Sequence, residues 1–350
     1  MSGAIVDEVL APAGGDLAIA AAGPWQLARR RLLRNRVALV MAGLLAVIVA
    51  LCLGAPLYAH HIAHTDPFRS NLDGTTIANG KRVPVMVQST QGLGLGVTPI
   101  GPTWDVHHYF LGADGQGRDV AARLLYGGRN SLLIGTSAAL ITCFLAVLVG
   151  VVAGFFGGLV DGILSRLLDV VWAFPVYLLA ISLSTVLIAR GFSLGPLHLT
   201  SGSLLLPITI IGLVYIPYVA RPIRGEVLSL RRREFVEAAI GLGASNWRLL
   251  WSDILPNVVT TAIVLFPLML AIDMLIEAAL SFLSIGVQEP KASWGSIILD
   301  GQDLLYTRPA VALAPGIAIA LTVLALNVLG DGIRDALDPR AKLRRADGES

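Results

Sequence analysis

Charge is scarce in this chain. Only 14% of its 350 residues are Asp, Glu, Lys or Arg, against about 25% in soluble domains, so an ordinary water-soluble globule is excluded. The formal net charge of +2 is too small to mark a nucleic-acid surface, and no basic stripe suggests one. Cysteine is nearly absent: Cys52 and Cys143 both lie in apolar windows, where they read as small buried hydrophobes rather than as a disulfide. No Gly-Lys-Ser/Thr follows any glycine-rich turn, so the chain by itself is no P-loop ATPase.

What is abundant is apolar sequence, 55% of the residues. Six windows of about 20 predominantly apolar residues, the length a helix needs to cross a bilayer core, lie near 37–59, 132–156, 167–189, 203–220, 258–282 and 309–330. The runs are continuous rather than alternating, so their backbone groups are satisfied as helices and not as barrel strands. The expected fold class is therefore all-α, a polytopic membrane protein with six transmembrane helices.

Basic residues orient it. Arg29, Arg30, Arg31, Arg34 and Arg36 crowd the start of the first window, which reads as a retained first crossing rather than a cleaved leader. Seventeen of the 26 Lys and Arg residues fall on the side that holds both termini, and the positive-inside bias makes that side cytoplasmic. The parts are then a cytoplasmic tail (1–36), a first transmembrane helix (37–59), an extracytoplasmic loop with an amphipathic segment (60–131), a core of five transmembrane helices (132–330) with a cytoplasmic loop at 221–257, and a cytoplasmic tail (331–350).

The stretch 71–104 is rich in Gly, Pro and Thr and reads as irregular structure with a short hairpin. His60, His61, His64, His107 and His108 put five of the six histidines in the outer loop. Without cysteines or an H-x-x-x-H helix they read as solvated side chains rather than a metal site. From Leu111 to Ser131 a glycine-punctuated turn leads into an amphipathic stretch expected along the outer membrane face. Trp172, Trp294 and Tyr306 fit interfacial anchors, and Pro175, Pro207, Pro217, Pro267 and Pro315 are expected to kink spans.

Two places carry functional expectations. Asp273 and Glu277 lie mid-span one helical turn apart, where a charge costs about 2.5–3.5 kcal/mol. Both are candidates for the wall of a substrate path, for a proton relay in an ion-coupled secondary transporter, or for hydrogen bonding between helices. The other place is the polar interlude Arg231–Pro256. Ser229 is expected to cap a helix through Arg231, Phe235 and Ala239, Gly241 and Gly243 to turn the chain, and Pro256 to stop or kink a second helix from Asn246 to Leu255. Small residues beside Glu237 suit a groove on a partner, and Arg231, Arg232 and Arg233 equally suit lipid headgroups.

Glu237-Ala238-Ala239-x-x-x-Gly243 followed by Leu255-Pro256 resembles the EAA loop of ABC importer permeases, with Asp253 where that pattern prefers isoleucine. Leu111-Gly112-Ala113-Asp114-x-x-Gly117-Arg118-Asp119, Glu277-x-x-Leu280-Ser281-Phe282-Leu283 and Asn327-x-x-Gly330-Asp331-Gly332-x-Arg334 narrow the resemblance to the second, C-type permease subunit of dipeptide, oligopeptide and nickel importers. That resemblance implies a type I permease fold and a bacterial inner-membrane location. It implies coupling to an ATPase through Glu237, Ala238, Ala239, Gly241, Gly243 and Pro256. The implied partners are a homologous second permease subunit, two ATP-binding subunits that hold ATP and Mg, and an extracytoplasmic substrate-binding protein. No residue of this chain is then catalytic and no cofactor is its own. Peptides are the implied cargo, with nickel or glutathione as alternatives.

Overall fold

The second apolar window is the centre of the architecture, and the small residues along it explain why. The computed structural model describes residues 24–78, 80–89, 96–194, 197–199 and 202–338. A short helix α1 (Pro24–Leu32) precedes the first span, α2 (Arg36–Leu53), which Asn35 caps by accepting from the Ala38 amide. The 37-residue helix α3 (Val120–Phe156) follows the outer loop. Two bent pairs come next: α4 (Gly158–Trp172) with α5 (Val176–Arg190), turned by 85°, and α6 (Leu205–Val214) with α7 (Ile216–Leu230), turned by 41°. The short α8 (Glu234–Gly241), the long α9 (Asn246–Phe282), α10 (Trp294–Gly301) and α11 (Ala310–Leu337) complete the helices. Four helices are long and apolar enough to cross a membrane singly, and six spans result if each bent pair counts as one.

Helix α3 packs most extensively on α7 and α9, and then on α6 and α2. Apolar burial cannot drive helices together in lipid, so close backbone approach must. Gly150 and Gly154, a Gly-x-x-x-Gly pair, supply it: a Cβ at Gly150 would meet Ile223 Cγ2 at 2.7 Å and the Ala220 carbonyl at 2.8 Å, and one at Gly154 would meet Val227 Cβ at 2.8 Å. Gly135 faces Met274 of α9 in the same way, and Gly128 faces Cys52 of α2 and Trp294. Thr142 adds a hydrogen bond to the Gly212 carbonyl at 3.0 Å.

Several expectations are corrected. The amphipathic stretch before residue 132 does not lie along the membrane face: Asp119 caps α3 by accepting from the Ala121 and Ala122 amides at 2.8 and 3.1 Å, and the helix runs from there straight into the apolar window. At about 1.5 Å per residue it is far longer than a bilayer core is thick. The loop before it holds two antiparallel hairpins rather than one, β1 (Thr75–Ala78) with β2 (Lys81–Pro84) and β3 (Met86–Gln88) with β4 (Val97–Pro99). A third pairs β5 (Phe192–Leu194) with β6 (Leu197–Leu199). Trp294 is no interfacial anchor. It is buried and its indole N–H donates to the Leu124 carbonyl at 3.0 Å. Pro175 and Pro217 do sit at the two bends, whereas helices α9 and α11 run on through Pro267 and Pro315. The tail residues before 24 and after 338 lie outside the described residues.

Candidate functional site: an exposed helical turn between the fourth and fifth spans

The polar interlude folds as a short helix, a glycine turn and the first turns of α9. Ser229 belongs to the preceding α7, and α8 starts only at Glu234, so the expected Ser229 cap is not used. No side chain caps α8, but Glu234 and Glu237 in its first turn complement the positive end of the helix. Gly243 has φ +81°, a left-handed conformation that only glycine adopts without strain. Its amide donates to the Ile240 carbonyl at 2.9 Å and the Ala244 amide to that of Ala239 at 3.0 Å, the Schellman pattern that ends a helix. The six-residue spacing from Glu237 to Gly243 thus measures out one short helix and its stop signal. Gly241 is the last helical residue and has open space where a Cβ would stand.

Ser245 caps the next helix by accepting from the Arg248 amide. Pro256 does not stop it. A π-helical turn, Leu249–Ile254, precedes the proline, the Leu255 amide reaches back to the Leu250 carbonyl, and the helix continues to Phe282; one widened turn absorbs the amide that proline lacks. Asp253 is half-buried within that turn, and its carbonyl accepts from Asn257 Nδ2 at 2.6 Å.

Only one face of this unit is held by the body of the protein. Val236, Leu249 and Ile254 are buried in the main core, while Phe235, Ile240, Leu242, Trp247 and Trp251 are exposed, Leu242 by 90%. Trp247 and Trp251 pack edge to face with centroids 5.5 Å apart. Glu237 and Ala238 are exposed beside them, and Ala239 is half-buried. The chain therefore presents a cluster of large apolar side chains around an acid, on a unit anchored firmly from beneath. An exposed apolar cluster of this kind marks a contact surface, for a protein or for lipid headgroups. The exposed tryptophans were not singled out from the sequence, although their four-residue spacing in a polar helix was a readable signal.

The two mid-span acids fall into different environments. Both are fully buried on α9. Ser131 Oγ donates to Glu277 Oε2 and Ser281 Oγ to Oε1, each at 2.7 Å. Ser131 Oγ in turn accepts from the Trp294 amide, and Ser281 Oγ from the Val287 amide. Glu277 is thus the centre of a brace between α3, α9 and the start of α10. Neither oxygen of Asp273 has a hydrogen-bond partner among the described residues.

At the N-terminal end of α3 an ionic network ties the outer loop to the core. Asp114 Oδ2 takes Arg118 Nε at 2.7 Å and lies 3.2 Å from Arg123 Nε. Asp300 of α10 takes Arg123 Nη2 at 2.7 Å and Arg118 Nη2 at 3.1 Å. Arg118 Nη1 also pairs with Glu289 at 3.0 Å, and that hydrogen bond holds the Glu289 carboxyl below the usual carboxylate range. Burial pushes the capping Asp119 up, although its amide hydrogen bonds pull it down. The acidic and basic residues at 114, 118 and 123 were legible in sequence. Their partners Glu289 and Asp300, more than 160 residues away, were not.

Comparison with known proteins follows the same lines. Residues 146–343 match the binding-protein-dependent transport system inner membrane component family, and residues 23–73 match the N-terminal transmembrane domain of oligopeptide transport permease C. A dipeptide transport system permease protein of Alkalihalophilus pseudofirmus is 32% identical over 323 residues, 92% of each chain. The oligopeptide transport system permease protein of Haemophilus influenzae is 32% identical over 90% of this chain and 88% of its own. A glutathione transport system permease protein of Pectobacterium atrosepticum is 36% identical over 67% of this chain and 73% of its own. Among solved structures, a chain of the inward-facing methionine ABC transporter MetNI superposes with TM-score 0.51 at 16% identity, covering 62% of this chain and 96% of that one, a likeness of fold. The chain belongs to the inner membrane component family of binding-protein-dependent transport systems and has the type I fold of ABC importer permeases.

Proposed function

We propose that this chain forms half of the path of an ATP-driven peptide importer in a bacterial inner membrane, with both termini cytoplasmic. The observation that carries the reading is the exposed surface around Glu237, Leu242 and Trp247, anchored from beneath by Val236, Leu249 and Ile254 in a permease of this family. An ATP-hydrolysing subunit with a hydrophobic groove and a basic rim fits it. Because α9 rises without a break from Asn246 to Phe282, a push on this turn is delivered along the helix as a rigid-body movement rather than dissipated in a loop. ATP and Mg belong to the partner, and this subunit performs no bond chemistry.

A second, homologous permease subunit would close the path, two ATP-binding subunits would drive it, and an extracytoplasmic binding protein would load it. Dipeptide and oligopeptide permeases among the relatives support peptides as cargo, and the glutathione permease extends the class to a peptide with a γ-linked residue. Nickel chelates are the remaining family alternative. Asp273, buried without a partner, is the better candidate for the path, while the paired oxygens of Glu277 suit a brace. A gradient-driven carrier built on these two acids is not favoured by the relatives.

The test is uptake by the complete transporter in proteoliposomes. Glu237→Lys is expected to abolish binding of the ATP-hydrolysing subunits and ATP-driven peptide uptake. Unchanged association and uptake would overturn the coupling assignment, and uptake driven by a proton gradient without ATP would overturn the reading as a whole.

A further inference from the structure

The outer loop contains a polar cleft that the transport reading does not use. Its volume is about 750 Å³, within the range of small-ligand sites. Three separate segments wall it: the chain after α2, the β1–β2 hairpin, and the turn at His107–Tyr109. Half of these residues, from Thr75 to Tyr109, lie outside both family matches, and the other half, Arg69 among them, lie within the N-terminal one. An odd number of crossings separates the loop from the exposed turn at Glu237, so the cleft and the coupling surface face opposite sides of the membrane.

The walls are fixed before any ligand arrives. Asn71 Nδ2 donates to the Tyr109 hydroxyl at 2.9 Å, and that buried hydroxyl donates to the Gly117 carbonyl at 3.1 Å. The Asn71 amide and Ser70 Oγ both donate to the Gln116 carbonyl, at 2.9 and 3.0 Å. Thr65 Oγ1 reaches Asp119, the cap of α3, at 3.3 Å. The hairpin register sets Arg82 opposite Ile77, and both line the cleft.

Its charge is lopsided. Arg69, Arg82, His64, His107 and His108 face Asp66 as the one acid in the lining. Among the described residues the side chains of neither Arg69 nor Arg82 have an ion pair or a hydrogen bond, in contrast to Arg118 and Arg123 close by, which each pair with more than one acceptor. His108 shares its Nδ1 with Asp105 and His107 with the Ile62 carbonyl, which leaves their Nε2 edges for a ligand. No group of three His, Cys, Asp or Glu among the described residues is placed to hold a metal ion. Two guanidiniums without a partner among the described residues, which take carboxylates in a two-pronged fashion, stand in one preformed hollow.

We propose that this cleft is a binding site for a small ligand carrying carboxylates, an acidic short peptide being the form that fits a volume of this size. Arg69 and Arg82 hold the carboxylates, and the hydroxyl-rich walls receive the backbone. The site stands apart from the coupling reading, because equilibrium binding requires neither ATP nor any partner.

The experiment measures binding of fluorescently labelled tri-glutamate and tri-glutamine to the full chain in lipid nanodiscs. Wild type is expected to bind tri-glutamate at least about tenfold more tightly. Arg69→Gln with Arg82→Gln is expected to remove that preference, and Lys81→Gln, an exposed neighbour outside the lining, to keep it. Equal affinity of wild type for the two peptides overturns the proposal without recourse to any variant. So does a preference that survives the double substitution, or one that Lys81→Gln removes equally. If tri-glutamate binds but ATP-driven uptake fails in the assembled transporter, the site holds and the transport reading falls.

Discussion

Ser131 Oγ lies 2.7 Å from Glu277 Oε2, and through that contact the second and fifth spans share one buried carboxyl. The serine is a relay as well as a donor, since it also accepts the Trp294 amide at 3.1 Å. A carboxyl at this depth is tolerated because both of its oxygens are occupied by hydroxyls.

Removing it leaves those hydroxyls without acceptors. Glu277→Ala is expected to cost about 2 kcal/mol or more of stability, read as a lower unfolding midpoint in detergent. Glu277→Gln, which keeps one acceptor oxygen, is expected to cost less. Equal midpoints for Glu277→Ala and wild type would show that the brace does not matter.

Close backbone contacts give a contrast between two glycines. A Cβ at Gly295 would meet the Ala278 carbonyl at 2.3 Å, whereas Gly316 has open space. Gly295→Ala is expected to destabilise by about 1–3 kcal/mol. Gly316→Ala is expected to be neutral or to stabilise by less than about 1 kcal/mol. Thermal unfolding of the two purified variants separates them.

The turn at Gly243 separates conformation from surface. Gly243→Ala must place a side chain at φ +81°, at a cost of about 1–2 kcal/mol, and is expected to lower ATP-driven uptake by disordering the turn. Gly241→Ala, within the helix and in open space, is expected to leave the unfolding midpoint unchanged. Leu242→Asp keeps the backbone and alters only an exposed side chain; it is expected to reduce uptake with an unchanged unfolding midpoint.

The Arg118 to Glu289 pair sets a pH dependence. Its folded pKa is depressed, chiefly by the Arg118 hydrogen bond, so its contribution is complete above the usual glutamate value and is lost as pH falls through the lower, folded value. Glu289 is 62% exposed, and solvent screening keeps the effect small. The unfolding midpoint of wild type is expected to fall more steeply below pH 5 than that of Glu289→Gln. Parallel curves would remove the pair from the stability of the outer loop.

Much of this was legible in the residues. Continuous apolar runs can satisfy their backbone only as helices in lipid, so the class followed from hydropathy, and the EAA spacing located the exposed turn because a short helix with a glycine stop requires that number of residues. Local signals failed where the competition was tertiary. Ser229 is a good cap by type, but α7 had already claimed it, and Pro256 is a good breaker, but a π turn accommodates it.

The sequence by itself determined the membrane class, the apolar windows and the place of the exposed turn, because these depend on composition and on spacings within a few turns of helix. Only the tertiary structure decided the roles of individual polar residues. Glu277 and Asp273 sit one turn apart on a single helix, yet one finds two serines and the other no hydrogen-bond partner among the described residues. Arg118 and Arg123 are held by Glu289 and Asp300, acids distant in sequence, while the side chains of Arg69 and Arg82 have no partner among the described residues. The reason is physical: the cost of a polar group depends on which donors and acceptors the packed chain brings within about 3 Å, and sequence spacing along one helix carries no record of them.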